Sequence, residues 1–185
     1  MAGTAAAWPA MPSVRSLSDR VHERFERHCL ALAVYHEARG EEPDGQRAVA
    51  QVVLNRKRSR AFPASICGVV YQNARRRNRC QFSFACDNRS DHPREKAAWQ
   101  KAQAIAGELM CRDCRTEEAV KDTTGLPPVA HATHYHALSV SPGWAKRLRR
   151  IDRIGGHIFY TCENTISRME PPSDVLRLTA TVPDP

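Results

Sequence analysis

Apolar residues recur at helical spacing across residues 18–39, and this pattern constrains the fold more than any other feature of the chain. The residues that share one face of this predicted helix are Leu30, Ala33, Val34 and Glu37. We expect Glu37 in the last helical turn, where an apolar face meets a loop. Gly40 is expected to end the helix, because glycine adopts the left-handed conformation of a helix C-terminus at little cost.

Other segments indicate a chain with more helix than strand. Further helices are predicted from Asp44, interpreted as an N-cap residue, to a polar end at Asn55, Arg56 and Lys57, then at residues 66–70 and from about residue 93 to 109. Residues 132–140 and 156–160 alternate in the manner of strands. Residues 73–91 show little periodicity, which predicts a long loop or an irregular sheet.

The chain divides into a leader at residues 1–17, one folded domain at residues 18–163, and a proline-containing tail at residues 164–185. A secretory signal needs a basic start and an uninterrupted apolar stretch, whereas Pro9 and Pro12 interrupt the apolar stretch of this leader. We therefore expect a disordered leader and no signal-directed export. No run approaches the roughly 18 apolar residues that a membrane-spanning helix needs.

Basic residues give the chain a strong positive charge. Lys and Arg outnumber Asp and Glu by 28 to 20, and the net charge of +8 favours polyanionic partners. Nucleic acid, anionic lipid headgroups and an acidic cell wall all meet this condition, so charge alone does not choose among them. Two clusters, which normally form solvated faces, hold much of the charge: Arg75, Arg76, Arg77 and Arg79, then Lys146, Arg147, Arg149, Arg150 and Arg153.

Seven cysteines leave at least one unpaired if the others form disulfides. Cys111 and Cys114 have the spacing of half a zinc ribbon, with Cys80 and Cys86 as further candidate ligands. The first spacing is common and the second is loose. A disulfide between Cys67 and Cys80, or between Cys80 and Cys86, is therefore favoured over zinc.

Glu37 is the candidate for acid–base chemistry. Cleavage of a glycosidic bond needs an acid that protonates the leaving oxygen, and a carboxyl group does this near neutral pH only if its pKa is raised. Burial against apolar side chains raises the pKa of a carboxyl group. Glu41 and Glu42 follow the glycine and are expected to be solvated. From spacing alone, the alternative is an ion pair between Glu37 and a nearby arginine.

Residues 80–87 offer polar groups opposite aromatic ones. An extended conformation would direct Gln81 and Ser83 to one face and Phe82 and Phe84 to the other. Such polar groups suit a groove wall that contacts sugar hydroxyls. The alternative is a half-buried structural strand that is closed by cysteines.

A histidine-rich segment follows later in the chain. In a strand, His134 and His136 project to the same side, as metal ligands would, but no carboxylate or cysteine stands at a standard offset. We expect hydrogen-bonded histidines beside a groove, with no catalytic metal and no cofactor. Tyr135 and Trp144 are candidates for stacking on sugar rings.

Together these segments resemble the SleB-like cell wall hydrolase family, which contains the catalytic domains of spore cortex-lytic enzymes. The matching segments are ALAVYHEARGE at 31–41, GQRAVAQVVLNR at 45–56, FP at 62–63, ICGVVYQ at 66–72, CQFSF at 80–84, ATHYHA at 132–137, PGWA at 142–145 and IGGHIFY at 154–160. Their shared order makes the resemblance specific where no single segment is. The arginine-rich insert, the added cysteines and the lack of a recognisable signal are more similar to members from Gram-negative bacteria and phages.

The resemblance implies a small α+β domain of the lysozyme and transglycosylase type, mostly helical with a short antiparallel sheet. It also implies a lytic transglycosylase, or a muramidase-type enzyme of similar architecture, that cuts peptidoglycan with Glu37 as general acid and base. The candidate substrate-binding residues are Gln81, Ser83, Tyr135, His136 and Trp144. A monomer acting in the periplasm or cell wall is expected, with contact to an anionic envelope surface. A holin or a virion could deliver a chain that is cytoplasmic until its release.

Two alternatives come from other functional classes. A non-catalytic peptidoglycan-binding or virion-associated module could use the same fold. A zinc-stabilised nucleic-acid binder would suit the positive charge, but the 6% aromatic content and the lack of helix-turn-helix or zinc-finger spacing disfavour it. We therefore expect no nucleic-acid partner.

Overall fold

The computed structural model describes residues 16–76, 79–113, 129 and 131–162. Its helices are α1 (Leu17–Ala38), α2 (Pro43–Arg58), α3 (Ile66–Val70) and α4 (Lys96–Asp113), and its strands are β1 (His134–Ala137), β2 (Arg149–Ile154) and β3 (His157–Thr161). Two short 3-10 helices, Ser83–Cys86 and Ala145–Arg147, lie between these elements. The predicted α+β fold, mostly helical with a short antiparallel sheet, is confirmed.

The predicted leader and tail lie almost wholly outside the described residues, as does Cys114. Ser16 and Leu17 are the exceptions, since they begin α1. Ser16 Oγ accepts a hydrogen bond from the Asp19 N–H, and an Asp19 carboxylate oxygen accepts one from the Ser16 N–H, both at 3.1 Å. This reciprocal capping box fixes the start of the helix.

The capping roles predicted for Gly40 and Asp44 are wrong, although α1 does end just before Gly40, at Ala38. Gly40 is not in the left-handed region, which among the described glycines is occupied by Gly155 with a φ of 54°. Asp44 is not a cap either, because Glu42 occupies the N-cap position. Asp44 lies in the first turn of α2 and forms an ion pair with Arg47 at 3.2 Å.

Helix α1 is the centre of the main core and packs against α2, α3 and α4. The predicted apolar face is confirmed, since Leu30, Ala33 and Val34 are each 0% exposed. Helix α4 contributes Ala102, Ala106 and Leu109 to the same core. Within the described part of the chain, no helix has the length and apolarity that a membrane crossing requires.

Two disulfides join parts of this core. Cys29 and Cys67 form one, which we call the α1–α3 disulfide, and Cys80 and Cys86 form the other, which we call the loop disulfide. The predicted pairing of Cys80 with Cys86 is confirmed. The alternative pairing of Cys67 with Cys80 is wrong, because Cys67 bonds to a helix 38 residues earlier in the chain.

The loop disulfide rules out the extended conformation considered for residues 80–87. Six strand steps would separate the two cysteine Cα atoms by about 20 Å, whereas they are 6.2 Å apart. The segment forms the 3-10 helix Ser83–Cys86 instead. The expected division of faces survives nonetheless, with Phe82 and Phe84 buried and Gln81 and Ser83 exposed.

The sheet has the strand order β1-β3-β2, and both pairings are antiparallel. Strand β2 is missing from the sequence prediction, because its charged residues suggested a solvated cluster rather than an edge strand. In β1, Tyr135 stands opposite Phe159 of β3 and on the same face. Phe159 belongs to a second core cluster that also contains Val49 and Val52 of α2, so this face of the sheet packs on α2.

Candidate active site

Glu37 lies in the last turn of α1, and its side chain is partly buried. The Tyr135 hydroxyl on β1 donates a hydrogen bond to Glu37 Oε2 at 3.3 Å. None of the ion pairs found among the described residues involves Glu37. The structure therefore joins Glu37 to a tyrosine, not to the arginine ion pair considered as an alternative.

Burial raises the pKa of Glu37 above its usual value. Four weaker influences oppose burial: the hydrogen bond from Tyr135, the charge of His36, a backbone hydrogen bond from Ser83 and the charge of Arg56. Burial outweighs them, because the carboxylate loses more solvation than these groups replace. Glu37 therefore keeps its proton to a higher pH than an exposed glutamate does.

Tyr135 is held in a form that donates. Burial and the nearby Glu37 carboxylate both raise the pKa of Tyr135 well above its usual value. The phenol is therefore neutral at physiological pH and carries the proton of the hydrogen bond to Glu37. Its ring packs edge-on against His157, with centroids 5.2 Å apart, and against Phe159 at 5.8 Å.

Arg56 is a buried cation beside this pair, with an exposed fraction of 2%. Its Nε donates to the Thr133 carbonyl at 2.7 Å, and its guanidinium lies 5.4 Å and 5.7 Å from the ring centroids of Phe62 and Phe82. Burial lowers the pKa of Arg56 to about 10, so the group is still charged at neutral pH. A fixed positive charge therefore stands near Glu37 without neutralising it in an ion pair.

Arg56 and its neighbour Asn55 were not predicted as site residues, because in the sequence they resemble a polar helix end. Asn55 is 0% exposed and donates to the Val129 carbonyl at 3.1 Å and to the Ala132 carbonyl at 2.8 Å. Both residues follow Val52 by three and four positions, which places them on the buried face of α2. Polar residues that continue an apolar stripe were the available signal.

Gln81 and Ser83 lie in the segment between Cys80 and Cys86, which the loop disulfide closes. With its amide oriented so that oxygen faces the guanidinium, Gln81 accepts from Arg56 Nη1 at 2.9 Å and Nη2 at 3.1 Å. The Ser83 backbone bonds to Glu37. The structure thus brings together four of the residues singled out in the sequence, Glu37, Gln81, Ser83 and Tyr135.

His136 and Trp144 belong to the other face of the sheet. His136 Nε2 bonds to the Tyr160 hydroxyl at 3.0 Å, and its ring stacks on the Tyr160 ring with centroids 5.3 Å apart. The Trp144 ring lies 5.5 Å from His134 and 5.7 Å from His136. These aromatic rings form a separate group that the strand alternation directs away from Tyr135.

The predicted exposure of Glu41 is wrong. Glu41 Oε2 accepts a hydrogen bond from the Gly156 N–H at 2.9 Å, and Glu41 Oε1 lies 3.6 Å from His157 Nδ1. Burial lowers the pKa of His157 even though Glu41 opposes this shift. Glu41 therefore links the segment after α1 to the β2–β3 turn and helps to hold the sheet beside Glu37.

The potential metal ligands are engaged elsewhere. Cys80 and Cys86 form the loop disulfide, so neither can join a zinc ribbon with Cys111. His136 uses both ring nitrogens, Nδ1 with the Ala137 carbonyl at 2.9 Å and Nε2 with Tyr160. Among the described residues, no group of three potential ligands is placed to hold a metal ion.

Among the described residues, two of the cavities lie near these elements, and Glu37 lines neither of the two. One, of about 500 Å³, lies along α1 and is lined by Val21, Phe25 and His28, among others. The other, of about 590 Å³, lies beside the 3-10 helix that contacts Glu37 and is lined by Phe84 and Cys86, among others. Of these two, the second cavity therefore adjoins the candidate active site.

Comparisons with known proteins agree with this geometry. The family described as Cell Wall Hydrolase matches residues 40–160, a range that begins just after Glu37. The chain is 36% identical over 138 residues to the spore cortex-lytic enzyme of Bacillus subtilis, and 33% identical over 132 residues to that of Halalkalibacterium halodurans. These alignments cover 72% and 70% of this chain but only 36% and 33% of the two relatives. The chain therefore spans about a third of the length of these curated relatives.

Solved structures point the same way. The catalytic domain of the Bacillus cereus SleB protein superposes with a TM-score of 0.53 at 27% identity, over 75% of this chain and 91% of that domain. The catalytic domain of the germination-specific lytic transglycosylase SleB from Bacillus anthracis gives a TM-score of 0.53 at 26% identity, over 82% of this chain and all of that one. The resemblance seen in the sequence is confirmed, and the chain is a SleB-like member of the cell wall hydrolase family.

Proposed function

We propose that this chain cleaves the glycan strands of peptidoglycan as a lytic transglycosylase, with Glu37 as the general acid and base. The observation that carries the proposal is a half-buried carboxyl group with a raised pKa, bonded to a neutral tyrosine and unpaired with arginine. The relatives support the substrate, since they include spore cortex-lytic enzymes and a lytic transglycosylase. We assign the catalytic unit to residues 18–163.

The reaction begins with proton transfer from Glu37 to the glycosidic oxygen that links N-acetylmuramic acid to N-acetylglucosamine. As the bond between the muramyl C1 and that oxygen breaks, the leaving sugar departs with the proton and positive charge develops at C1. The Glu37 carboxylate then removes the proton of the muramyl 6-hydroxyl, whose oxygen bonds to C1. The product is a 1,6-anhydro end, and Glu37 regains its proton without consuming water.

This route explains how one carboxyl group can suffice where most glycosidases use a pair. The Glu41 carboxylate, four residues further on, is occupied by the Gly156 N–H and lies next to His157. Its structural engagement argues against a role as a second catalytic group. The internal 6-hydroxyl takes the place of an activated water.

Tyr135 and Arg56 stabilise the charged form of Glu37 between the two steps. Each lowers the pKa of Glu37, the first by its hydrogen bond and the second by its charge. Without them, burial alone would hold the proton too firmly for transfer to a weakly basic oxygen. Gln81 positions the Arg56 guanidinium from the loop side.

Substrate contacts are proposed at two places. Gln81, Ser83 and Tyr135 surround Glu37 and can contact the sugars on either side of the scissile bond. His136 and Trp144 lie on the other face of the sheet and would contact a part of the glycan strand that is farther from the scissile bond. Two disulfides fit a protein that works in an oxidising compartment, such as the periplasm or the cell wall.

Product analysis tests this function. The protein is incubated with purified peptidoglycan, and the soluble fragments are analysed by mass spectrometry in water enriched in oxygen-18. We expect turbidity to fall and muropeptides to carry unlabelled 1,6-anhydro ends. Labelled reducing ends would identify a hydrolase instead, and binding without any release of fragments would identify a non-catalytic module.

A further inference from the structure

The second cavity is lined by two arginines that have no role in the proposed reaction. It lies between the segment that follows α3 and the segment around the 3-10 helix Ser83–Cys86. The lining residues that matter here are Arg75, Phe84, Cys86, Asn88, Arg89 and Asp91. Arg75 belongs to the first arginine cluster of the sequence, and neither Arg75 nor Arg89 takes part in the proposed reaction.

Two arginines outnumber one acid in this lining. Arg75 and Arg89 are both exposed, and neither belongs to an ion pair formed among the described residues. The Asp91 carboxylate already accepts a hydrogen bond from the Tyr71 hydroxyl at 3.0 Å. Within the described part of the chain, the cavity therefore offers two guanidinium groups that form no ion pair, and such groups are well shaped to bind carboxylates through paired hydrogen bonds.

The cavity adjoins the catalytic group through shared structure. Ser83 bonds to Glu37 through its backbone, and Cys86 at the other end of the same 3-10 helix lines the cavity. Three steps along a 3-10 helix cover about 6 Å. Phe84 lines the cavity and stacks on His36, the residue before Glu37, with ring centroids 4.4 Å apart.

We propose that this cavity binds the free carboxylates of the peptide stem carried by muramic acid. The proposal rests on the proposed function, since it places the stem beside the carboxyl group that would cut the glycan. A muramyl residue at Glu37 projects its lactyl-linked peptide away from the sugar ring, and the 3-10 helix that begins beside Glu37 at Ser83 ends at the cavity with Cys86. The occupant fits because stem peptides carry more carboxylates than amines. The chain therefore selects glycan strands that carry acidic stems over strands without peptides.

The test compares kcat/KM on two soluble substrates. One is glycan strands with intact stems, and the other is the same strands after an amidase has removed the peptides. The double variant Arg75→Gln/Arg89→Gln should lose at least about tenfold in kcat/KM on the stem-bearing strands, since a charge-assisted hydrogen bond contributes on that order. It should match the wild type on the bare strands. The control Lys96→Gln/Lys101→Gln removes two exposed charges from α4 and should keep the wild-type preference.

A binding measurement separates failure of this inference from failure of the proposed function. In the Glu37→Gln background, fluorescence anisotropy reports the affinity for labelled strands without turnover. We expect the arginine double variant to weaken binding of stem-bearing strands alone. Equal affinity of both proteins for these strands, or equal losses on both substrates, would overturn the stem-binding site. Absence of wild-type turnover with selective binding intact would overturn only the proposed reaction.

Discussion

Replacement of Tyr135 by phenylalanine tests how the pKa of Glu37 is set. The variant keeps the ring and its packing against Phe159 but removes the hydroxyl that donates to Glu37 Oε2 at 3.3 Å. This hydrogen bond is the strongest of the influences that lower the pKa of Glu37. Its loss leaves burial less opposed, so the pKa of Glu37 rises further.

The size of the effect follows from the hydrogen bond. A hydrogen bond to a charged group contributes about 1.5–3 kcal/mol, and a separation of 3.3 Å places this one near the lower limit. Since about 1.4 kcal/mol corresponds to one pKa unit, we expect the pKa of Glu37 to rise by about one unit. The first step needs protonated Glu37, so activity is lost as the pH rises through this pKa.

The assay is the pH dependence of kcat/KM on soluble glycan strands. The alkaline limb of the profile should move to a pH about one unit higher in Tyr135→Phe. Tyr160→Phe is the matched control, because its hydroxyl contacts His136 on the opposite face of the sheet. Its alkaline limb should stay where the wild-type limb is. An unmoved limb in Tyr135→Phe, or one displaced to lower pH, would show that the Tyr135 hydroxyl does not lower the pKa of Glu37.

Three further predictions concern stability. Folding raises the pKa of Glu37, so the stability that this group contributes is complete below its unfolded pKa and is lost as the pH rises through its folded pKa. The difference in Tm between Glu37→Gln and the wild type should therefore increase, in favour of the variant, from pH 4 to pH 8. A difference that calorimetry finds constant over this range would contradict the prediction. Asn55→Ala removes the side-chain donor to the Val129 and Ala132 carbonyls, of which the first keeps the Ala132 N–H, and it removes the acceptor of the buried Gln51 amide. Urea denaturation should therefore show a loss of about 3 kcal/mol; a loss below about 1 kcal/mol would mean that water replaces the side chain. Replacing the two cysteines of one disulfide by serine should lower the free energy of unfolding by about 4 kcal/mol for the α1–α3 disulfide, which spans 38 residues, and by about 2 kcal/mol for the loop disulfide, which spans 6. Only loss of the loop disulfide should lower activity by more than the loss of folded protein explains. Equal specific activities of the two folded variants would contradict this.

The helices could be predicted because their signals are local. The spacing of Leu30, Ala33 and Val34 identifies the buried face of α1 without knowledge of its partners, and Glu37 falls on that face by the same arithmetic. The Cys80–Cys86 disulfide could also be predicted from the sequence, because its two cysteines are only six residues apart. The α1–α3 disulfide was not, because its two cysteines meet only after the helices pack.

The rest of the site depends on contacts between distant parts of the chain. Arg56 continues the apolar stripe of α2, but Thr133 and Gln81, which contact its guanidinium group, come from distant parts of the chain. Strand β2 was hidden because an edge strand can carry charged residues on its exposed side, so its pattern resembled a solvated cluster. Strand alternation places Tyr135 and His136 on opposite faces of β1. The sequence does not show which of the two faces packs against the helices, and therefore which residue lies beside Glu37.

The proposed reaction requires that Glu37 both supplies and recovers the proton. The most direct measurement is the initial rate at which 1,6-anhydro muropeptides are released from purified peptidoglycan, compared between wild type and Glu37→Gln. Loss of the general acid and base should lower this rate by at least about a hundredfold, while the folded variant still binds the substrate. Release within about tenfold of the wild-type rate would show that another group carries the proton.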